Sequence, residues 1–450
     1  MRPQTPGYGE RRDELVRQMR DGGSEKEVAL RKSTSNLFRD RKSAHARRLD
    51  VGALHHVLEV DPRQGWVNTE AMTPYDVLAA ATLEHGTMPC VVPQLKSITI
   101  GGAVAGVGIE SSSFKHGLVH DTLLELEVLL ADGSTVVATA HNEHRDLFFG
   151  FPNSYGTLGY ALRVKTRTVP VKRFVALSHL RHTNRAAYFR HLVELCHAPD
   201  IDFIDGAVFA PDELCITLGR FVDEAPYTSD YTFEYIYYRS IREREADYLA
   251  TEAYLWRWDT DWFWCSKNLA AQNPVVRRLL GRRRLNSRFY TRLMRLNSRW
   301  RITHRLDRLR GRWRESVIQD VDIPIERAAE FLDFFHREIG ILPVWVCPIR
   351  RSGLAQRWTL YPMDRSATYV NFGFWDVVRT RKTHARGHFN RLIEDEVRRL
   401  GGIKSLYSDS YYTPDEFWEI YDGAAYRALK QRYDPNGRFA DLYAKCVLRA

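Results

Sequence analysis

The sequence predicts an α+β protein of two units, and three observations carry that prediction. The chain has 450 residues, 44% of them hydrophobic, enough to bury two or three cores. Up to Pro170, short strand-like and helix-like runs alternate with brief connections. From Val171 the texture shifts to longer amphipathic segments rich in aromatics, a change that marks a unit boundary.

Taken in order, Ser24-Glu25-Lys26-Glu27 reads as a capping box opening a short helix, followed by a polar stretch to Asn36. Residues 57–60 and 66–68 are strand-like and flank the turn at Asp61-Pro62. Thr73-Pro74 opens a helix that Gly86 ends. Residues 123–130 form a buried-strand run, Asp132-Gly133 a hairpin turn, and 135–139 the returning strand. A short helix at 146–149 precedes a strand over 161–169, which Pro170 stops. In the second unit, 324–340 is a well-signalled helix and 342–349 and 369–375 are strands. One closing helix is expected over 414–433, ended by Asp434-Pro435, and no internal repeat occurs.

The net charge of +10 is local. Residues 277–314 hold fifteen arginines and one acid, Asp307, so they carry +14 and leave −4 for the rest. Leu285, Phe289, Leu293 and Leu296 recur among them at helical spacing, predicting a basic amphipathic helix. Such a helix lies in an anionic membrane surface at about 1 kcal/mol per engaged arginine. A solvated basic face over a buried apolar side is the alternative. No base-stacking platform or recognition fold accompanies the charge, which excludes nucleic acid as a partner. The six cysteines are scattered, with no CxxC pair and no cluster at metal-ligand spacing, so reduced thiols and no metal are expected. With a charged N-terminus and no run of about eighteen apolar residues, a cytoplasmic, non-spanning chain is expected.

The most unusual stretch is GGAVAGVGIESSSFKHG, residues 101–117, after the β-prone run 97–100. Glycines let a backbone approach a ligand closely, and successive N–H groups with serine hydroxyls bind anions, so a diphosphate is the natural occupant. A dinucleotide fingerprint of the Rossmann kind fails on context. Gly106-Val107-Gly108 does not run into an amphipathic helix, and Asp132 sits in a hairpin turn rather than at a ribose.

Together, SITIGGAVAGVGIESSSFKHGL, LLADGS and DLFFGFPNSYGTLGYALRV resemble the flavin domain of vanillyl-alcohol-oxidase-type (PCMH-type) FAD proteins. More narrowly they resemble the Δ24-sterol reductase (Diminuto-like) branch, and the likeness continues through IPIERAAEFLDFF, ILPVWVCPI and LYSDSYYTPDEFWEIYDG. Within that branch the chain looks like bacterial flavin reductases of 10-methylene acyl chains of phospholipid. The resemblance implies a two-subdomain PCMH-type FAD-binding domain from residues 1–170, completed by 403–450, with an α+β substrate cap over 171–402. It places Ile100, Gly101, Gly102, Gly106, Gly108, Ser111, Ser112 and Gly117 along the FAD diphosphate and flavin. Tyr155, Gly156, Thr157 and Gly159 become a second wall, and Ser33, Thr34, Ser35 and Asn36 take the place of the family's first phosphate loop. Many relatives carry there a histidine that tethers the flavin, whereas this chain has none, so dissociable FAD is expected; His116 is the alternative tether nearby.

Reducing an isolated C=C takes a hydride on one carbon and a proton on the other, so the implied site needs reduced flavin and a desolvated acid. By resemblance the candidates are Glu110, His116, Tyr407, Asp409 and Tyr411. Glu110 either holds the loop or gives a proton, and His116 is otherwise a turn residue. Asp409 is otherwise a cap or loop residue. Tyr407 and Tyr411 at alternate positions would share one strand face as acid or pocket wall. The same kinship implies NADPH as electron donor, with a lipid methyltransferase supplying the methylene precursor, and the basic segment 277–314 suits a peripheral place on the inner membrane face.

Overall fold

A computed structural model describes residues 7–21, 27–32, 38, 46–300, 313–350, 357–364 and 366–449, with backbone alone for 294–300. Two antiparallel sheets organise them. The smaller runs Val57–Asp61, Trp66–Glu70, Tyr160–Pro170, Leu123–Leu129, Thr135–Ala138 in spatial order, with Thr87–Pro89 paired to the end of Tyr160–Pro170. The larger has eight strands: Ala246–Ala250, Phe174–His182, Glu213–Val222, Phe203–Ala210, Val344–Arg350, Thr368–Thr380, Trp313–Pro324 and Ile403–Lys404.

Alternation along the larger sheet decides what each face meets. Val370, Phe372 and Phe374 pack with Val317 and Val321 under helices Arg185–Leu195, Ala328–Glu338 and His388–Arg399. Each such buried aromatic contributes roughly 1.5–3 kcal/mol. The opposite face, with Tyr369, Trp375, Trp345 and Cys347, joins the smaller sheet in one continuous core. That inner face is where the two sheets meet.

Most locally signalled elements form: the helix Tyr75–Leu83, the hairpin at Asp132-Gly133 with Gly133 at φ 82°, and the strand ending at Pro170. Four expectations are corrected. The helix opening at Ser24 gives way, in its described part, to the strand Val28–Arg31, which pairs in parallel with Arg47–Asp50 and whose Val28 N–H bonds Arg438 O at 2.9 Å. Residues 98–100 are not a strand. Thr99 caps the helix Ile100–Ala105, and the Ile100 and Gly101 N–H groups bond Thr73 O and Ala71 O, so no ladder can form. The closing helix breaks into Pro414–Ile420 and Gly423–Tyr433, because Asp422 turns left-handed (φ 46°) and its carboxylate caps Ala425 N. Finally, Ile403–Lys404 pairs with Val321 and Asp322, so the chain leaves the large sheet two residues beyond position 402. None of the six cysteines forms a disulfide, and no helix among the described residues is long and apolar enough to cross a membrane.

Candidate active site

The glycine stretch is shaped first by the protein itself. A Cβ on Gly101 would lie 2.7 Å from Ala71 O, one on Gly108 2.6 Å from Val119, and one on Gly159 2.5 Å from Val128. Gly117 (φ 77°) faces Asp121 and Gly156 (φ 76°) faces Tyr160. These glycines permit close packing between elements. Gly106 and Gly102 are packed against their own helix and also border Tyr155 and Lys32: a Cβ on Gly106 would lie 3.0 Å from Gly102 O and 3.4 Å from Tyr155 Oη, and one on Gly102 would lie 2.8 Å from Thr99 Oγ1 and 3.9 Å from Lys32 Nζ. Ser33, Thr34, Ser35 and Asn36 lie outside the described residues. Of the flanking residues, Lys32 sits beside Gly102, and Phe38 donates its N–H to Tyr407 O at 2.9 Å.

The expected side-chain donors to a diphosphate, Ser111 and Ser112, are instead engaged inside the protein. Ser111 Oγ donates to Glu110 Oε1 at 2.7 Å and meets Tyr254 Oη at 2.9 Å; Ser112 Oγ donates to Cys90 O at 2.7 Å. Ile100 is buried in the core, and Thr157 is turned to Ser154 O and Lys430.

The second wall is tied to the glycine helix. Tyr155 N–H bonds Ala105 O at 2.8 Å and Asn153 N–H bonds Gly106 O at 3.1 Å. Both residues hold positive φ, 51° and 63°, a strain that bulky residues keep only where the surroundings impose it. The Tyr155 phenol is an electrostatic neighbour of Tyr361, Tyr407 and Tyr421, and so bridges the glycine helix to the inner face of the large sheet.

On that face Asp320 and Asp322 stand two residues apart on Trp313–Pro324. Asp322 accepts from Tyr361 Oη and Asn371 Nδ2, each at 2.7 Å. Asp320 lies across from Gly373, its carboxyl bonded by Tyr407, whose hydroxyl also accepts from Trp375 Nε1 at 2.9 Å. Burial pushes Asp320 up to about 7 and Asp322 to about 6. Around them lies an aromatic wall: Phe263 is 4.3 Å from Trp375, and Phe38 stacks on Trp262 at 5.7 Å. Trp262 and Phe263 both have positive φ, 47° and 59°, a second strained pair at the same place.

The proposed acids separate on this geometry. Glu110 is enclosed. Arg257 Nη2 reaches its Oε1 at 2.9 Å and Asp205 Oδ2 at 3.0 Å, while Gln94 closes on its other oxygen. Burial pushes Glu110 up and Arg257 pulls it back. Both of its oxygens are bonded within the protein, as the loop-holding reading expects. His116 is pushed down to about 4 by burial and Arg167, which leaves it uncharged at neutral pH; its neighbours are Lys115 and Asp202. Tyr407 and Tyr411 do not share a strand face, because the segment after Lys404 makes no ladder: Tyr407 turns to Asp320, whereas Tyr411 and Asp409 turn to Arg449. Of the five, Tyr407 alone touches the aromatic wall between the units. Asp320, Asp322, Trp375 and Arg257 are residues the sequence reading missed. The acidic pair in VIQDVDIP, breaking a β-prone run, was the available signal for the first two.

Whether FAD fits can be tested on buried polar atoms. Asn153 Oδ1, Ser154 Oγ, Asp320 Oδ1, Asn371 Oδ1, Ser408 Oγ and Ser410 Oγ are buried without a partner in the protein. Such groups are normally satisfied. These belong to the Tyr155 wall, the inner sheet face and the Tyr407 segment, a mixed set of donors and acceptors suited to a large polar cofactor with an aromatic ring.

Comparison with known proteins agrees. Residues 10–139 match the family described as FAD binding domain. The chain is 29% identical to the Δ24-sterol reductase of Homo sapiens over 416 residues, 87% of this chain and 76% of the relative. It is 23% identical to that of Pisum sativum, over 90% of this chain and 77% of the relative. A shorter match, 27% over 184 residues, is to cytokinin dehydrogenase 7 of Oryza sativa subsp. japonica, covering 38% of this chain and 33% of the relative. The chain therefore carries a PCMH-type FAD-binding domain in an α+β fold and is an FAD-dependent oxidoreductase.

Proposed function

We propose that this oxidoreductase reduces an isolated carbon–carbon double bond in an apolar lipid, drawing electrons from NADPH through FAD. One observation carries the reading. The likeness to Δ24-sterol reductases extends over 87% of the chain, so it includes the large sheet as well as the FAD-binding part. FAD, when bound, supplies hydride chemistry. The glycine helix at Gly102 and Gly106 and the Tyr155 wall would hold it. Phe38, Trp262, Phe263 and Trp375 exclude water and accept an apolar alkene; Tyr407 and the inner-face carboxyls manage the proton.

The relatives' names favour a Δ24-sterol side chain as substrate. A 10-methylene acyl chain makes the same chemical demand and enters the same assay. Anaerobic NADPH is expected to bleach the visible flavin band, and an added Δ24-sterol to restore it, whereas an alcohol will not. Restoration by a 10-methylene phospholipid alone would move the substrate to acyl lipid and call for an upstream methylene-forming methyltransferase. Failure of every alkene to restore the colour sinks the reading.

Association with an anionic membrane is part of this proposal, but through a different face from the one the sequence suggests. Arg277 is buried in a bidentate pair with Asp261 at 2.7 and 2.9 Å. Of the predicted apolar stripe, Leu285 is buried and Phe289 and Leu293 are half-buried, while the side chain of Leu296 lies outside the described residues; Tyr290 beside them is buried and donates to Thr260 O at 3.0 Å. Val275 and Leu279, one turn apart on Pro274–Leu280, are 67% and 77% exposed beside Tyr235 at 59%, with Arg278 and residues 282–284 exposed next to them. An apolar wedge ringed by arginines fits an anionic bilayer. The double substitution Val275→Ser with Leu279→Ser is expected to lower co-sedimentation with phosphatidylserine vesicles at least ~10-fold, given about 1.5–3 kcal/mol per aliphatic side chain, with FAD content unchanged. Undiminished binding removes this surface.

A further inference from the structure

Resting on the reading that the chain reduces an alkene, we propose that Asp320 is the catalytic acid, the group that protonates the alkene carbon not receiving the hydride. In that step the π bond breaks. One carbon gains a C–H bond from the hydride of reduced flavin, which is thereby oxidised. The other gains a C–H bond from the Asp320 carboxyl, whose O–H bond breaks to leave a carboxylate that solvent reprotonates before the next turnover.

Position is the first argument. Asp320 projects from the inner face of the large sheet, bonded by Tyr407 and across from Gly373, a strand neighbour of Trp375. The bare backbone there matters: a Cβ on Gly373 would lie 2.7 Å from Asp320 Oδ1 and 2.5 Å from the Trp375 ring. Glycine keeps the front of that oxygen clear. Availability is the second argument. Asp320 Oδ1 is buried with no partner in the protein, whereas Asp322 has both oxygens bonded, Glu110 and Asp205 share Arg257, and Glu394 is paired with Lys404. A buried carboxyl oxygen with nothing to accept is a natural seat for a proton.

Charge is the third argument. The groups facing Asp320 are Asp322 on its own strand and Tyr407 from the segment after Lys404; the Thr368–Thr380 strand presents Gly373 and Trp375, which carry no charge. Among the described residues no basic side chain is a counterion to it. Burial and Asp322 therefore favour its neutral form, held up to about 7, the range in which a general acid is both protonated and able to transfer. Once the proton has left, the Tyr407 hydroxyl donates to the carboxylate, with Trp375 Nε1 fixing that hydroxyl. Tyr407 is thus a positioning residue.

The test separates this proposal from the reading beneath it. Asp320→Asn is expected to keep its flavin band and its bleaching by NADPH, each within about threefold of the parent, while reoxidation by alkene falls at least ~10²-fold. In the parent, reoxidation is expected to decline as pH rises through about 7, and infrared difference spectra should show a protonated-carboxyl band that titrates over the same range and is missing from D320N. The infrared measurement on the parent decides the matter should D320N fail to fold: absence of a carboxyl titrating near pH 7 overturns the proposal. Reoxidation of D320N at the parent rate with the parent pH profile overturns it as well. A parent whose bleached flavin no alkene restores overturns the alkene reading itself, and the acid falls with it.

Discussion

Arg257→Met is expected to be the most destabilising single substitution in the chain, costing about 3–5 kcal/mol at neutral pH. Arg257 is fully buried, and its guanidinium is the counterion of Glu110 and Asp205, both likewise buried. It also stacks 3.9 Å above the Tyr254 ring. Removing it strands two carboxylates in the core, and a loss of that size is a large part of the 5–15 kcal/mol that holds a typical domain folded. The loss has a pH signature. Without Arg257 the Glu110 carboxyl, already pushed up by burial, loses the charge that pulls it back, so in the folded state it lies above its unfolded value; the variant should be least impaired below about pH 4, where that carboxyl is protonated in both states, and should weaken as pH rises. Adding Glu110→Gln to the variant removes one stranded charge and should restore part of the stability. Urea unfolding at several pH values reads all three effects, and an Arg257→Met midpoint within 1 kcal/mol of the parent at pH 7 sinks the account.

The same cluster ties the segment at Ser111 into the protein. Ile204 N–H bonds Ser111 O at 2.8 Å and Cys347 Sγ bonds Glu110 O at 3.2 Å, so the glycine–serine stretch is fastened to two strands of the large sheet as well as to Arg257. The stretch reads in sequence as a ligand loop. Half of it is an inter-unit clamp.

That division marks how far the sequence could be read. Elements with a signal inside their own few residues were legible: Pro74 before a helix, Asp132-Gly133 in a hairpin, Pro170 after a strand. Val28–Arg31 was not, because its partner strand Arg47–Asp50 and its contact with Arg438 are tertiary. The arginine run showed its charge but not its sides, since only packing turns Tyr290 inward and leaves Leu279 outside. The candidate site followed the same rule. Gly106, Tyr155 and Tyr407 lie in motifs that a resemblance marks. Arg257 acts 147 positions from Glu110, and Asp320 matters because burial and Gly373 make it so; a linear sequence displays neither distance nor burial.

The glycines supply a test of which half of the stretch meets the cofactor. Gly106→Val is expected to leave the protein folded and strip its flavin, because its Cβ would lie 3.0 Å from Gly102 O, a contact a few tenths of an ångström of give relieves, and the new methyl groups press on Tyr155, whose Oη would be 3.4 Å from the Cβ alone, and push the second wall out of place. Gly101→Val is expected to fail differently. Its Cβ would lie 2.7 Å from both Ala71 Cβ and Ala71 O, contacts that neither backbone nor side chain can relieve, so the fold itself should suffer by an overpacking cost of about 1–3 kcal/mol or more. Flavin per protein from the visible band, read beside the urea midpoint, separates the two. A flavin Kd raised at least ~10-fold, about 1.4 kcal/mol, with a near-parental midpoint, is the outcome expected for Gly106→Val. Should that variant bind flavin as tightly as the parent, the gap between the glycine helix and Tyr155 is ordinary packing, and the cofactor must be sought on another face of the same helix.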